Sequence, residues 1–266
     1  MYPFEYVKAE SLKHAVDFLA ANPDARPLSG GMTLIPTLKA RLAQPTHLVD
    51  IGQLAELRGM ERKGDALAIG AATRHAEVCA SEVVRKALPA LAYVAEHIGD
   101  PQVRNLGTMG GSIANNDPAA DYPAAVLALN ATIVTSAREI AADDFFQGMF
   151  TTALEPGEIV TRIVYPFPMR AAYEKFPHPA SGYAMAGVFV AETAGGVRVA
   201  VTGAGPGVFR WAEAEAALTR KMAPEALDAL AAAPDDLNED MHGSREYRAQ
   251  LVKVMAQRAV AKLIGS

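Results

Sequence analysis

Val103-Arg104-Asn105-Leu106-Gly107-Thr108-Met109-Gly110-Gly111-Ser112 is the stretch on which the reading of this chain turns. It follows a long helical pattern, Thr73 to Ile98, and belongs to a turn-rich segment that opens at Gly99-Asp100-Pro101. Backbone without Cβ lets main-chain N–H groups approach an anion closely, and a helix entered from such a turn adds the positive end of its dipole. The segment runs on to Asp117-Pro118, where aspartate as N-cap and proline at the first helical position predict a helix through Leu129. Asp121 then stands one turn beyond Asp117 on the same face, a carboxylate able to accept from ribose hydroxyls. The same two acids also read as a capping pair with a solvated carboxylate.

A second turn of this type lies upstream. Ser29-Gly30-Gly31-Met32-Thr33 follows a short strand, Arg26 to Leu28, and opens a helical stretch, Leu34 to Ala43, with Leu34, Ile35, Leu38 and Leu42 on one face. Two converging turns, each offering free amides, suit the two anionic groups of a dinucleotide diphosphate. Paired glycines are also ordinary tight turns. Neither turn has the Lys-Ser/Thr ending of a Walker loop or the Rossmann spacing, which excludes kinase, ATPase and NAD-first readings.

Outward from the turns, Ser11 to Ala21 reads as a first helix, His47 to Ile51 as a buried strand, and Gly59 to Ala71 as a hairpin turning at Lys63-Gly64-Asp65. These strands predict a mixed sheet. Pro89 divides Thr73 to Ile98 into two helical pieces, and Ala131 to Thr135 and Ile159 to Tyr165 are strand-like. Pro166-Phe167-Pro168 marks a domain boundary by its proline density. Beyond it, Ala172 to Phe176, Tyr183 to Glu192 and Val197 to Thr202 read as strands, the last two joined at Ala194-Gly195-Gly196. Helices follow at Ala212 to Arg220, Pro224 to Ala233 and Ser244 to Leu263, covering a small sheet on one side. The fold class is α+β.

Composition narrows the functions. At 266 residues the chain is at the upper edge of one domain and has room for two. With 25 basic against 30 acidic residues the net charge is −5, so no basic field collects nucleic acid or anionic membrane. The most apolar stretch, Pro123 to Thr135, is too short to span a bilayer and is broken by Asn130, so no integral membrane segment is expected. Met1 to Glu10 lacks the pattern of a signal peptide, and the expected location is cytoplasmic. The single cysteine, Cys79, reads as a structural thiol and cannot hold an iron–sulfur cluster, so any cluster must sit on another chain. Six histidines, His14, His47, His75, His97, His178 and His242, show no metal-ligand spacing, and no Gly-x-Ser-x-Gly elbow occurs. No metal site and no catalytic side chain is nominated.

The chain resembles the FAD-binding medium subunits of molybdenum hydroxylases, as in carbon monoxide dehydrogenase and the flavin subunit of xanthine dehydrogenase. The likeness runs from Pro3-Phe4-Glu5-Tyr6 through Leu28 to Pro36, Lys39 to Ala43 and Leu48 to Ile51, is most specific over Val103 to Ser112 and Asp117 to Ala124, and returns at Glu246-Tyr247-Arg248. The resemblance implies an FAD-binding domain of the type found in those enzymes over residues 1–168, with subdomains at about 1–51 and 52–168. A C-terminal flavoprotein domain over 169–266 follows. By motif position Leu28, Ser29, Gly30, Gly31, Met32, Thr33, Leu34 and Ile35 would hold the pyrophosphate, together with Gly107, Thr108, Met109, Gly110, Gly111 and Ser112. Asp121, with Asp117 before it, would serve the ribose region, Val160 and Lys175 match flavin-contact positions, and Tyr183 matches an aromatic placed near the isoalloxazine. Several relatives carry histidine and serine where this chain has Met32 and Thr33, and a thioether cannot take over an imidazole's proton chemistry or a covalent flavin link.

The implied partners are an iron–sulfur small subunit and a molybdenum-cofactor large subunit, in a heterotrimer or its dimer, with an external electron acceptor. FAD would be the only redox centre on this chain. Two alternatives stand beside this reading: a self-contained FAD-dependent oxidase or dehydrogenase of the same fold, and a scaffold protein without flavin.

Overall fold

The computed structural model describes residues 1–265, and no helix among them is long and apolar enough to cross a membrane. The chain begins with β1 (Glu5–Lys8), α1 (Leu12–Ala21), β2 (Arg26–Leu28), α2 (Leu34–Lys39) and β3 (His47–Asp50). Ser11 starts α1 by accepting the His14 N–H at 3.1 Å, and the helix buries Ala15 and Leu19. The three strands pair in parallel in the order β1-β3-β2. The helix expected to reach Ala43 stops at Lys39, because Arg41 turns into the left-handed region at φ 58° and leaves Leu42 78 % exposed.

Next come β4 (Met60–Lys63), β5 (Ala66–Gly70), α3 (His75–Ala80), α4 (Glu82–Ala87), α5 (Pro89–Glu96), α6 (Pro101–Leu106), α7 (Met109–Asn115) and α8 (Tyr122–Ala128). They lead to β6 (Thr132–Thr135), β7 (Glu139–Ala141), α9 (Ala142–Phe145), β8 (Phe146–Gly148), β9 (Thr151–Thr152) and β10 (Val160–Pro166). The sheet β4-β5-β10-β6-β7 is antiparallel throughout. The expected mixed sheet is therefore two sheets, since the β4–β5 hairpin pairs with β10 and leaves β1 to β3 to pair only with one another. Leu67, Ile69, Leu91, Ile133 and Ile163 form the core between this sheet and the helices.

The helical run from Thr73 to Ile98 is broken twice. Pro89 opens α5 as expected, and Ser81 both ends α3 and caps α4. The segment read as turns, Gly99 to Ser112, holds two helices. Asp100 accepts the Val103 N–H at 2.8 Å to start α6 with Pro101 in its first turn, and Thr108 caps α7. Conversely, Asp117-Pro118 starts no helix. Asn116, left-handed at φ 45°, ends α7, and Asp117 spends its carboxylate on the Ala119 N–H at 2.9 Å within a turn. Helix α8 starts only at Tyr122, so Asp117 and Asp121 do not share a helical face.

The last part contains β11 (Arg170–Pro177), β12 (Ala184–Thr193), β13 (Gly196–Thr202), β14 (Phe209–Arg210), α10 (Ala212–Arg220) and α11 (Arg245–Gly265). The four strands form an antiparallel sheet in chain order. β14 spans two residues, too short for any periodicity to announce it. Between Pro224 and Ala233 only a 3-10 turn, Pro224–Leu227, forms instead of a full helix. Strand alternation splits the sheet between two cores: Tyr173, Phe189 and Ala200 face the preceding part of the chain, while Val188, Val190, Val199 and Val201 pack with α10 and α11.

Candidate functional site

A cavity of about 430 Å³ lies where β2, the start of α3 and the start of α7 come together. The two glycine turns meet here. A Cβ on Gly30 would run into the Leu106 carbonyl and stand 2.8 Å from Gly107 Cα, and the Ser29 and Thr108 hydroxyls lie 3.0 Å apart. Glycine at position 30 is thus required by close backbone approach.

The turns differ in what they offer. Among the described residues, the main-chain N–H groups of Gly30, Gly31, Met32, Thr33 and Leu34 have no intramolecular acceptor. This run of free donors stands at the mouth of α2, where an anion is stabilised by hydrogen bonds without any side-chain charge. The second turn was expected to offer amides in the same way, and largely does not. Met109 N–H donates to the Thr73 carbonyl at 3.0 Å, Gly110 N–H to Ala71 at 2.8 Å, and Gly111 N–H to Thr108 Oγ1 at 3.3 Å. Gly110 is a packing glycine, since a Cβ there would meet Ala71 Cα at 2.8 Å. What remains on that side are the Thr108 amide and the hydroxyls of Ser29, Thr108 and Ser112.

Leu28, Ser29, Gly30, Gly31, Met32, Thr33, Leu34, Gly107, Thr108, Gly110, Gly111, Ser112, Asp117, Asp121, Val160 and Tyr183 all line the cavity. Three other expected residues do not. Ile35 packs beside Gly31, and Met109 is fully buried with its sulfur accepting from the Tyr165 hydroxyl at 3.3 Å. Lys175 is neither an exposed strand lysine nor part of the lining. Its buried Nζ donates to the carbonyls of His97 at 2.6 Å and Gly182 at 2.9 Å and pairs with Asp121 at 2.9 Å. Asp121 also accepts from the Tyr173 hydroxyl at 2.6 Å, so both carboxylate oxygens have partners inside the protein. Burial pushes the Asp121 carboxyl above its ordinary range, against the opposing pull of Lys175 and Tyr173.

Several lining residues carry no sequence signal. Ile98 and Leu154 add apolar wall, and His75, at the first position of α3, lies in the floor. Burial and the nearby Arg104 push the His75 imidazole down to about 4. Only a capping pattern around Arg74 and Glu77 hints that a helix starts there, and nothing in the sequence turns His75 toward Gly107.

The residues present fit FAD. Five free amides suit a diphosphate, hydroxyls stand beside them, and the half-exposed ring of Tyr183 with Val160, Ile98 and Leu154 offers flat apolar surface to a ring system. Such a cavity, beside a parallel and an antiparallel sheet, suits a dinucleotide cofactor held outside the Rossmann and P-loop patterns. The chain belongs to the family described as "FAD binding domain in molybdopterin dehydrogenase", matched over residues 2–168, with residues 171–263 matching "CO dehydrogenase flavoprotein C-terminal domain". It is 38 % identical to the glyceraldehyde dehydrogenase medium chain of Sulfolobus acidocaldarius, over 97 % of this chain and 98 % of that one. It is 37 % identical to the carbon monoxide dehydrogenase medium chain of Afipia carboxidovorans, over 97 % and 96 %. Among solved structures, carbon monoxide dehydrogenase from Hydrogenophaga pseudoflava lacking the Mo-pyranopterin moiety superposes with a TM-score of 0.90 at 36 % identity, covering 100 % of this chain and 99 % of that one.

Proposed function

We propose that this chain is the FAD-binding electron-transfer subunit of a molybdenum hydroxylase. It works with an iron–sulfur small subunit and a molybdenum-cofactor large subunit, in a heterotrimer or its dimer, and delivers electrons to an external acceptor. The observation that carries the reading is the run of free amides from Gly30 to Leu34, on residues that line a cavity shared with Tyr183. FAD, when bound, supplies a centre able to accept electrons from iron–sulfur clusters and release them to a soluble acceptor. The chain's own residues bind and shield. The Gly30 to Leu34 amides, with Thr108 and Ser112, would hold the diphosphate; Val160, Ile98 and Leu154 would exclude water; and Tyr183 would shield the ring system. Asp121 and Lys175 serve by fixing the wall and the segment that carries Tyr183, since Gly182 is one of the Lys175 acceptors.

Residues 1–168 form the FAD-binding domain, with subdomains at about 1–51 and 52–168, and 169–266 the C-terminal domain. The separate parallel and antiparallel sheets and the proline-bounded link between β10 and β11 support that division. A cytoplasmic site of action goes with this reading.

Thr33→Asp tests the amide cradle. Thr33 is exposed at the N-cap position of α2 and makes no side-chain cap there, so an aspartate fits the fold while competing with phosphate for the same donors. The expected result is one FAD per wild-type chain by visible absorbance and a Kd at least about tenfold weaker in the variant, about 1.4 kcal/mol. Unchanged FAD affinity in a folded variant would remove the cradle. Copurification with partners that carry iron and molybdenum tests the complex.

A further inference from the structure

Resting on the FAD reading, we propose that His75 is a further cofactor-binding residue, its Nε2–H donating to a diphosphate oxygen at the seam between the two glycine turns. The side chain is 4 % exposed and packs edge-on to Tyr122, ring centroids 5.3 Å apart. Its Nδ1 is buried with no hydrogen-bond partner. A neutral imidazole has one N–H, and a buried donor without an acceptor costs more than a buried lone pair without a donor. The proton therefore sits on Nε2.

That nitrogen faces the place where a donor is lacking. The Nε2–Cδ2 edge lies against Gly107, where a Cβ would stand 2.6 Å from Nε2 and 2.9 Å from Cδ2, and both residues line the cavity. The main-chain N–H of His75 donates to the Gly107 carbonyl at 3.0 Å, which holds the residue's backbone against the turn, and Gly107 Cα lies 2.8 Å from where a Cβ on Gly30 would stand. The amides of Met109, Gly110 and Gly111 are spent inside the protein, so a side-chain donor at this point completes the ring of donors that the first turn begins. Because burial keeps the imidazole uncharged at pH 7, it acts as a donor of fixed tautomer, and the phosphate charge is left to the free amides.

The test uses the full chain labelled with ¹⁵N-histidine, titrated with FAD, with ADP and with riboflavin. The expected spectrum has His75 as the Nε2–H tautomer with no titration between about pH 5.5 and 8. FAD and ADP should both move the Nε2 resonance and riboflavin should not. A proton on Nδ1, or an Nε2 signal that FAD leaves in place, overturns the assignment; movement by riboflavin overturns the diphosphate contact. In parallel, His75→Phe keeps the packing on Tyr122 and should weaken FAD binding about tenfold. Wild-type chain that binds no FAD defeats the functional reading itself, whereas wild type and variant of equal affinity defeat only the role of His75.

Discussion

His75 is a base that the fold keeps neutral, and that makes stability depend on pH. Its folded value of about 4 lies below the ordinary 6.5, so between these limits the unfolded chain binds a proton that the folded chain refuses. Stability from this group is complete above pH 6.5 and is lost as the pH falls toward 4, by up to about 3 kcal/mol at 1.36 kcal/mol per pKa unit. Urea denaturation of wild type and His75→Phe at pH 7 and pH 4.5 isolates the effect, because other acid-sensitive groups are common to both. Wild type should lose about 2 to 3 kcal/mol more than the variant across that interval, and parallel losses would mean that His75 titrates normally. None of this is legible in the sequence, where His75 is one of six scattered histidines. The environment that lowers it comes from Gly107, Tyr122 and Arg104, residues distant along the chain.

At the scale of elements, α7 shows what sequence signals can and cannot report. The glycines at 107, 110 and 111 mark close approach, and the structure bears this out at Gly107 and Gly110. They also lower helix propensity, so the segment reads as turns. Packing overrides propensity: Gly110 lies on Ala71, Met109 and Ile113 are fully buried, and Thr108 caps the first turn. The same logic in reverse explains Asp117-Pro118, where a capping dipeptide is used in a turn because left-handed Asn116 has already ended α7. By contrast α1, α10, α11 and the β11 to β13 strands were legible within a few residues, the helices from apolar residues at helical spacing and β12 and β13 as apolar, Val-rich runs joined by the Gly195-Gly196 turn. Thr108 carries a further expectation. Thr108→Ala should cost about 1 kcal/mol for the cap and also removes the tie to the Ser29 hydroxyl that joins the turns. Thr108→Ser should restore both, as read by thermal unfolding and by FAD affinity, and a serine variant no better than alanine would assign the residue to methyl packing instead.

The whole molecule is held as one unit by the sheet β11-β12-β13, whose two faces belong to different cores, and by polar ties across the junction. Thr202 Oγ1 donates to the Ala120 carbonyl at 2.6 Å, Arg198 reaches the Leu127 carbonyl and Asp143, and Lys175 pairs with Asp121. The last tie is the most sensitive, because both partners are buried. Lys175→Met removes the cation and strands a carboxylate in an apolar setting, a change that costs about 3–5 kcal/mol when the remaining charge stays unpaired. Asp121 can escape only by taking a proton. Its carboxyl is already raised by burial, and loss of Lys175 raises it further, so the folded variant binds a proton in a range where the unfolded chain, with an ordinary value near 3.8, does not. Stability of the variant therefore falls as the pH rises from about 4 through the new folded value. The deficit relative to wild type should be larger at pH 8 than at pH 5 in chemical denaturation. Adding Asp121→Asn should remove that pH dependence while leaving the His97 and Gly182 carbonyls without their donor, so part of the loss persists. Because Gly182 adjoins Tyr183 at the cavity mouth, the single variant should also leave bound flavin more open to an aqueous quencher, which links this junction to the site. A deficit independent of pH would show that the tie acts through packing of the lysine stem and not through its charge.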